Sequence, residues 1–350
     1  MTNFDDTNFA VKVFGERNEI KLDDTGMPSI MVGFPKLNAA DVIPGAVNRT
    51  LPGFIVNAVE KDLMYQSKYI NIVRNGRAYS LPGEDPANTI NFDNSLAACR
   101  QKGAGWGLTP FSLWAAIALY CKANGFQPRG NTNYGASHEN PWEKGIPGSK
   151  ETSGLFRVLR TLTGSGEKSW YHNNDLSGIA DLCGLVWEWL GGFRTLDGEM
   201  QFIPNADSML AEKSMIATSL DWRAVTESGS YVDPGSDGTL KFNGTNPISI
   251  VKTVTSTTAQ STRPFATIAA GADITAVPQL LKELAIAPAD ATPENYNGDA
   301  VWLNMTGERL PSRGGGWYDG ASAGVFALGL DSARSYVSSY IGFRAAFCDL

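Results

Sequence analysis

Apolar residues along the chain fall mostly in short runs broken by Gly, Pro and Asn, and only rarely in helical stripes. Runs at Ser29 to Val32, Phe54 to Val59 and Tyr69 to Val73 predict strands, each bounded by turn-forming residues. A weaker run, Ala10 to Phe14, predicts one strand inside the polar segment 1–27, which reads as an N-terminal appendage or oligomerisation segment. One helix stands out. Thr109 can accept hydrogen bonds from the first free backbone N–H groups and Pro110 suits the first helical position; Leu113, Trp114, Ile117, Ala118 and Cys121 then recur at helical spacing before Gly125. Further helices are predicted over Asn94 to Lys102, behind Asp93, and over Ser153 to Thr161, where Leu155, Val158, Leu159 and Leu162 share a face. Few helices, short antiparallel strands and long loops predict an α+β fold over residues 28–350. Within it, residues 206–300 are rich in Ser, Thr, Ala and Gly and read as an insertion carrying hairpins and loops.

Composition narrows the partners. A chain of 350 residues that is 43% hydrophobic can bury one large core or two modest ones. With 29 Lys and Arg against 36 Asp and Glu, it lacks the positive charge that a nucleic-acid groove or an anionic membrane surface demands, so neither partner is expected. The longest apolar run, Leu113 to Cys121, is too short to cross a bilayer. Residues 1–20 hold no apolar signal core, so Sec-type export is not expected. Cys99, Cys121, Cys183 and Cys348 are far apart and form no C-x-x-C pair, which predicts buried thiols. His138 and His172 have no Cys or His at ligand spacing, so no metal is expected. Asp24-Thr-Gly26 and Gly164-Ser-Gly166 read as plain turns, since neither has the companions of a protease or phosphate loop.

Four blocks carry a family resemblance. Gly178-Ile-Ala-Asp-Leu-Cys-Gly-Leu-Val-Trp-Glu-Trp189, followed by Gly191-Gly-Phe-Arg194, resembles a G-x-x-D-x-x-G-N-V-W-E-W signature. This signature is shared by formylglycine-generating enzymes and the variable proteins of diversity-generating retroelements. Gly105-Trp-Gly-Leu-Thr109, Gly130-Asn-Thr-Asn-Tyr-Gly135, and Arg313-Gly-Gly-Gly-Trp317 with Ile341-Gly-Phe-Arg344 agree in the same order, spanning about residues 28–350. The resemblance implies a C-type-lectin-like fold with Trp106, Trp114, Trp187, Trp189, Trp317 and Phe343 as scaffold. Cys183 and Leu185 stand where many relatives carry Asn, so a calcium role of those positions is not carried over.

The enzyme branch of the resemblance needs paired cysteines between R-G-G-x-W and G-F-R. Here the stretch from Trp317 to Gly342 has none, and Cys348 lies beyond it, so no redox site, catalytic residue or cofactor is expected. Gly320-Ala-Ser-Ala-Gly324 matches a nucleophile elbow in letters only, because both histidines precede it.

The variable-protein branch carries a prediction of its own. In retroelement systems adenines in a C-terminal repeat are mutagenised, chiefly in AAY codons, which can then never encode Lys, Glu, Gln, Met or Trp. From Arg313 to Leu350 this chain contains no Lys, Glu, Gln or Met, and its only Trp is the framework Trp317. Every residue at Tyr318, Asp319, Ser322, Gly329, Asp331, Ser332, Tyr336, Val337, Ser338, Ser339 and Tyr340 is reachable from AAY. Tyr, Ser, Gly and Asp also suit adaptable recognition, through rigid amphipathic rings and tolerant hydrogen bonds. Val325, Phe326, Leu328 and Leu330 are expected to face the core between them. The resemblance therefore implies a non-catalytic protein with a diversified binding region at about 313–344, directed at a macromolecular or glycan ligand on a cell surface; the alternative is a structural virion or adhesin protein without a specific ligand. It implies a place at a phage tail-fibre tip, or alternatively on a bacterial surface or in the cytoplasm before assembly, with homo-oligomerisation left open.

Overall fold

The computed structural model describes residues 3–350 and has the α+β character expected: few helices and many short strands, arranged in three larger sheets and two hairpins. A five-stranded antiparallel sheet runs in the order Asn18–Leu22, Pro28–Pro35, Leu63–Ser67, Ala345–Phe347, Trp106–Leu108. A six-stranded sheet runs Gln260–Pro264, Ala300–Leu303, Gly324–Leu330, Ser312–Gly314, Trp187–Trp189, Ile341–Phe343. An eight-stranded sheet gathers Phe193–Leu196, Glu199–Phe202 and most strands of residues 223–270.

The strands are not all antiparallel as the sequence suggested. Val301 to Leu303 pair in parallel with Leu328 to Leu330, Ile341 to Phe343 with Trp187 to Trp189, and Ser249 to Ile250 with Ala269 to Ala270. Parallel pairing needs long crossovers, and the long loops of this chain supply them.

The central helix is Phe111–Ala123, flanked on its N-terminal side by Pro110. Thr109 does not cap it: its hydroxyl exchanges hydrogen bonds with Gln66 and donates to the Arg344 carbonyl, which keeps it in the sheet. The helix is buried on nearly all sides, so its apolar residues form a core rod more than a stripe. Trp114 Nε1 donates to the Val325 carbonyl at 2.8 Å, fastening the rod to the strand Gly324–Leu330. The second helix is Phe92–Arg100, two residues earlier than expected, because Asn91 accepts from the Asn94 N–H and takes the cap position.

Four predicted elements differ. Ala10 to Phe14 is not a strand: Asn3–Val13 is a helix with Asp5 and Asp6 in its first turn and Lys12 in its last, charges that suit the helix dipole. Phe54 to Val59 divides into a 3-10 turn, Pro52–Phe54, and a hairpin of Ile55–Val56 with Val59–Glu60. At Tyr69 to Asn71 the chain bends, Asn71 N–H donates to the Phe343 carbonyl, and the strand begins at Ile72. Ser153 to Thr161 is no helix. Bridges Lys150 to Val158 and Pro147 to Thr161, with the Glu151–Arg157 ion pair across them, fold it back on itself, leaving Leu155 81% exposed.

One large core unites Val32, Phe34 and Trp114 with Phe242, Ile250, Phe265 and Leu281, so residues 206–300 contribute to the same interior. On the six-stranded sheet, Val325, Phe326, Leu328 and Leu330 join this core, while Ala327 joins a second cluster with Trp106, Trp187, Trp189 and Phe343 on the opposite face. The alternation of a strand between two faces separates Phe326, Leu328 and Leu330 from Ala327; Val325 joins the first core from the start of the strand, where its ladder with Ser312–Gly314 shifts register.

Two buried arginines lock the frame. Arg344 Nε meets both carboxylate oxygens of Glu188 at 3.0 and 2.8 Å. Its Nη1 donates to the carbonyls of Ser67 and Lys68, and its Nη2 to those of Ala180 and Asp181. One guanidinium thus joins two sheets and the signature loop. Arg313 donates to the carbonyls of Phe326 and Ala285 and lies 4.7 Å over the Phe111 ring. No helix among the described residues is long and apolar enough to cross a membrane.

Candidate ligand-binding site

The strand Ser312–Gly314 leaves the sheet through Gly314 and Gly315, both in the left-handed region at φ of 91° and 85°. At Gly315 a Cβ would stand 2.4 Å from that of Ala323, so this turn requires glycine. It delivers Trp317 into a small cluster with Ile70, Leu185 and Val186, and turns Tyr318 outward.

Beside that turn lies a cavity of about 410 Å³, within the usual size range of small-molecule pockets. Its floor is the edge-to-face pair Trp187 and Trp302, with ring centroids 5.0 Å apart. Gly329, opposite Ser312 in the ladder, keeps the floor open: a Cβ there would lie 2.5 Å from Ser312 Oγ and 3.5 Å from the Trp187 ring. Tyr318, Asp319, Asp331, Ser332, Tyr336 and Tyr340 stand around it.

These residues are held by one another and by neighbours outside the cavity. Asp319 Oδ2 accepts from Trp187 Nε1 at 2.9 Å and from Gly316 N–H at 2.7 Å. Burial nevertheless raises the Asp319 carboxyl above its ordinary range, and raises Asp331 likewise. Tyr340 packs edge-on against Tyr318 at 5.4 Å and Trp317 at 6.2 Å, and its hydroxyl is hydrogen-bonded to that of Tyr336. Burial and that hydrogen bond push Tyr336 up to about 12, so it stays protonated at neutral pH. Arg334 donates to Glu308, Asp93 and the Met215 carbonyl, and Arg160 to the Ser339 carbonyl, pinning the loop 331–340.

Among the residues singled out from sequence, Tyr318, Asp319, Gly329, Asp331, Ser332, Tyr336 and Tyr340 line this one cavity. Ser322, Val337, Ser338 and Ser339 do not line it. Ser322 ends the 3-10 turn Gly320–Ser322. Val337 is exposed, while the carbonyls of Ser338 and Ser339 accept from Thr89 N–H and Arg160. The scaffold residues Trp106, Trp114, Trp187, Trp189, Trp317 and Phe343 are all buried, and Trp187 serves the cavity too.

Sequence reasoning missed Trp302, Arg309 and Ser312, which complete the lining together with Ala333 and Ile341. Trp302 and Arg309 lie upstream of the C-terminal block and reach the cavity through the pairing of Ala300–Leu303 with Gly324–Leu330 and the short strand Glu308–Arg309. No local signal in the sequence points at either. Arg309 makes no side-chain ion pair or hydrogen bond among the described residues, and its Nε is buried without a partner.

Chemically the cavity offers aromatic faces, two carboxylates and one guanidinium, with no histidine or cysteine among its lining residues. Among the described residues no cluster of three or more His, Cys, Asp or Glu is placed to hold a metal ion. The four cysteines are buried thiols, which burial pushes above their ordinary range.

No protein-family model matches the chain, and no curated protein matches it. Among solved structures, the Major Tropism Determinant U1 variant aligns over 94% of this chain and 71% of its own, with 10% identity and a TM-score of 0.33. The P3c variant of the same protein aligns over 94% and 71%, with 11% identity and a TM-score of 0.32. Treponema denticola variable protein 1 aligns over 94% of this chain and 98% of its own, with 10% identity and a TM-score of 0.35. At such values the likeness is a resemblance in the course of the chain.

Proposed function

We propose that this chain is a non-catalytic ligand-binding protein of the retroelement-variable type, with a C-type-lectin-like frame that presents residues 318–340 to a macromolecular or glycan ligand on a cell surface. The observation that carries the reading is the convergence of Tyr318, Asp319, Gly329, Asp331, Ser332, Tyr336 and Tyr340, chosen from codon logic, on one cavity. A random Gly/Ser-rich surface loop has no reason to converge in this way. The frame beneath is held by Arg344, Arg313 and Arg334, so wall residues whose side chains do not themselves hold it, such as Tyr318 and Ser332, can change while their backbone stays put. Such separation of fixed support from exchangeable contacts is what a diversified binding face requires. A virion tail-fibre tip or a bacterial surface is the corresponding location, with several copies adding avidity.

Sequencing the gene and its flanks in sibling isolates tests this. Substitutions should fall at positions 318–340, with a near-copy repeat and a reverse transcriptase gene nearby. Evenly scattered substitutions and no repeat would remove the reading. Once a glycan or surface-protein array supplies a ligand, Tyr318→Ala should weaken binding by about tenfold or more, equivalent to about 1.4 kcal/mol. Because Tyr318 is 41% exposed, its thermal midpoint should move only a few degrees.

A further inference from the structure

A second cavity, of about 310 Å³, lies between residues 15–18, the strand Pro28–Pro35 and the loop around His172 to Ser177. It shares no lining residue with the first. Gly15 closes against Ser177, and Asn18 Nδ2 donates to the Ser177 carbonyl, so the N-terminal segment is fastened as one wall. Phe34, Tyr120 and His172 form an aromatic trio facing it: Phe34 meets Tyr120 edge-on at 5.2 Å and His172 at 5.7 Å, and Tyr120 meets His172 at 6.0 Å.

His172 is 5% exposed and its Nδ1 accepts from the Ile179 N–H at 2.8 Å. That bond assigns the ring proton to Nε2. Burial, helped by the nearby Lys68 ammonium, holds the imidazole neutral down to about pH 3. Nε2–H makes no hydrogen bond among the described residues and keeps some exposure, so it is free to donate to a molecule in the cavity. At the mouth, Arg17 is exposed and its side chain makes no ion pair or hydrogen bond among the described residues.

From this geometry we infer a second ligand site, for a small planar aromatic acid with a phenol-type oxygen at its inner end and a carboxylate at its outer end. The ring packs against Phe34, Tyr120 and His172 in offset or edge-on contact. The phenolic oxygen accepts from His172 Nε2–H, a neutral group meeting a neutral donor where a charge would be expensive to bury. The carboxylate stays at the solvated mouth, where Arg17 pairs with it. Glu16, also at the mouth, disfavours a second negative charge on the ligand.

Calorimetric titration of the full chain with 4-hydroxybenzoate at neutral pH tests the site. Saturable binding is expected, about tenfold weaker for benzoate, which lacks the inner acceptor, and about tenfold weaker for Arg17→Ala, a surface change that leaves the fold intact. The chain has only two histidines, so a His138→Gln variant leaves one imidazole for nitrogen NMR, and its Nε2 resonance should shift on titration. Absence of binding at millimolar ligand, equal affinity for benzoate, unchanged affinity in Arg17→Ala or an unmoved Nε2 resonance would each overturn the inference.

Discussion

Arg344→Ala is expected to lower the free energy of unfolding by about 3–5 kcal/mol, the range seen when one partner of a buried ion pair is removed. Arg344 is fully buried, and its loss strands the Glu188 carboxylate together with the carbonyls of Ser67, Lys68, Ala180 and Asp181. Each unmet buried acceptor adds to the cost. Arg344→Lys should recover only a fraction, because the three donors of an ammonium radiate from one nitrogen and cannot span partners that Arg344 meets from Nε, Nη1 and Nη2. A double variant with Glu188→Leu removes the stranded charge but still leaves the four carbonyls, so it should not return to the wild-type value. Urea titration gives the comparison. A loss below about 1 kcal/mol for Arg344→Ala would mean that water enters and satisfies the carbonyls, and that the guanidinium does not join the sheets.

Asp299→Asn should change how stability depends on pH. Asp299 is buried, accepts from the Phe326 N–H at 2.7 Å, and is raised by burial to about 7 from an ordinary value of 3.8. A raised carboxyl contributes most to stability at low pH, and that contribution is lost between about pH 4 and 7, at about 1.4 kcal/mol per unit. Burial raises Glu188 and Asp181 as well, and both act in the same direction. His172, lowered to about 3, acts oppositely, since the unfolded chain gains a proton below about pH 6.5 that the folded chain refuses. Glu143, lowered to about 2, matters only below its ordinary value of 4.5.

Comparing variant with wild type cancels all but Asp299. Asparagine cannot ionise, so relative to wild type the variant should gain about 2 kcal/mol between pH 5 and pH 7, whatever its baseline. Parallel curves from urea titrations across that range would show that Asp299 is ionised well below neutral pH, with Arg313 and the backbone N–H groups outweighing burial.

Where the sequence sufficed, the deciding interaction was local or the residue type had one place to go. The rod Phe111–Ala123 is apolar over so much of its surface that any fold must bury it, and the tryptophans of the four blocks had to be interior. The alternation of Phe326 and Leu328 with Ala327 and Gly329 assigns opposite faces to residues one apart. The exclusion of Lys, Glu, Gln and Met after Arg313 was likewise a property of the letters alone.

The tertiary structure decided whatever depends on partners distant in the chain. Ser153 to Thr161 has a helical pattern, but its backbone bridges to residues 147–150 and Gly154 turns it at φ of 75°, so local periodicity lost to non-local pairing. Thr109 has the composition of a cap, yet Gln66 and the Arg344 carbonyl, 43 and 235 residues away, claim its hydroxyl. The cavity is the clearest case. Its variable-type walls were legible from codons, but Trp302 and Arg309 reach it only because strands far apart in sequence pair in register. Periodicity along a chain tells which way a side chain faces; only the packing of one element on another tells what it will face.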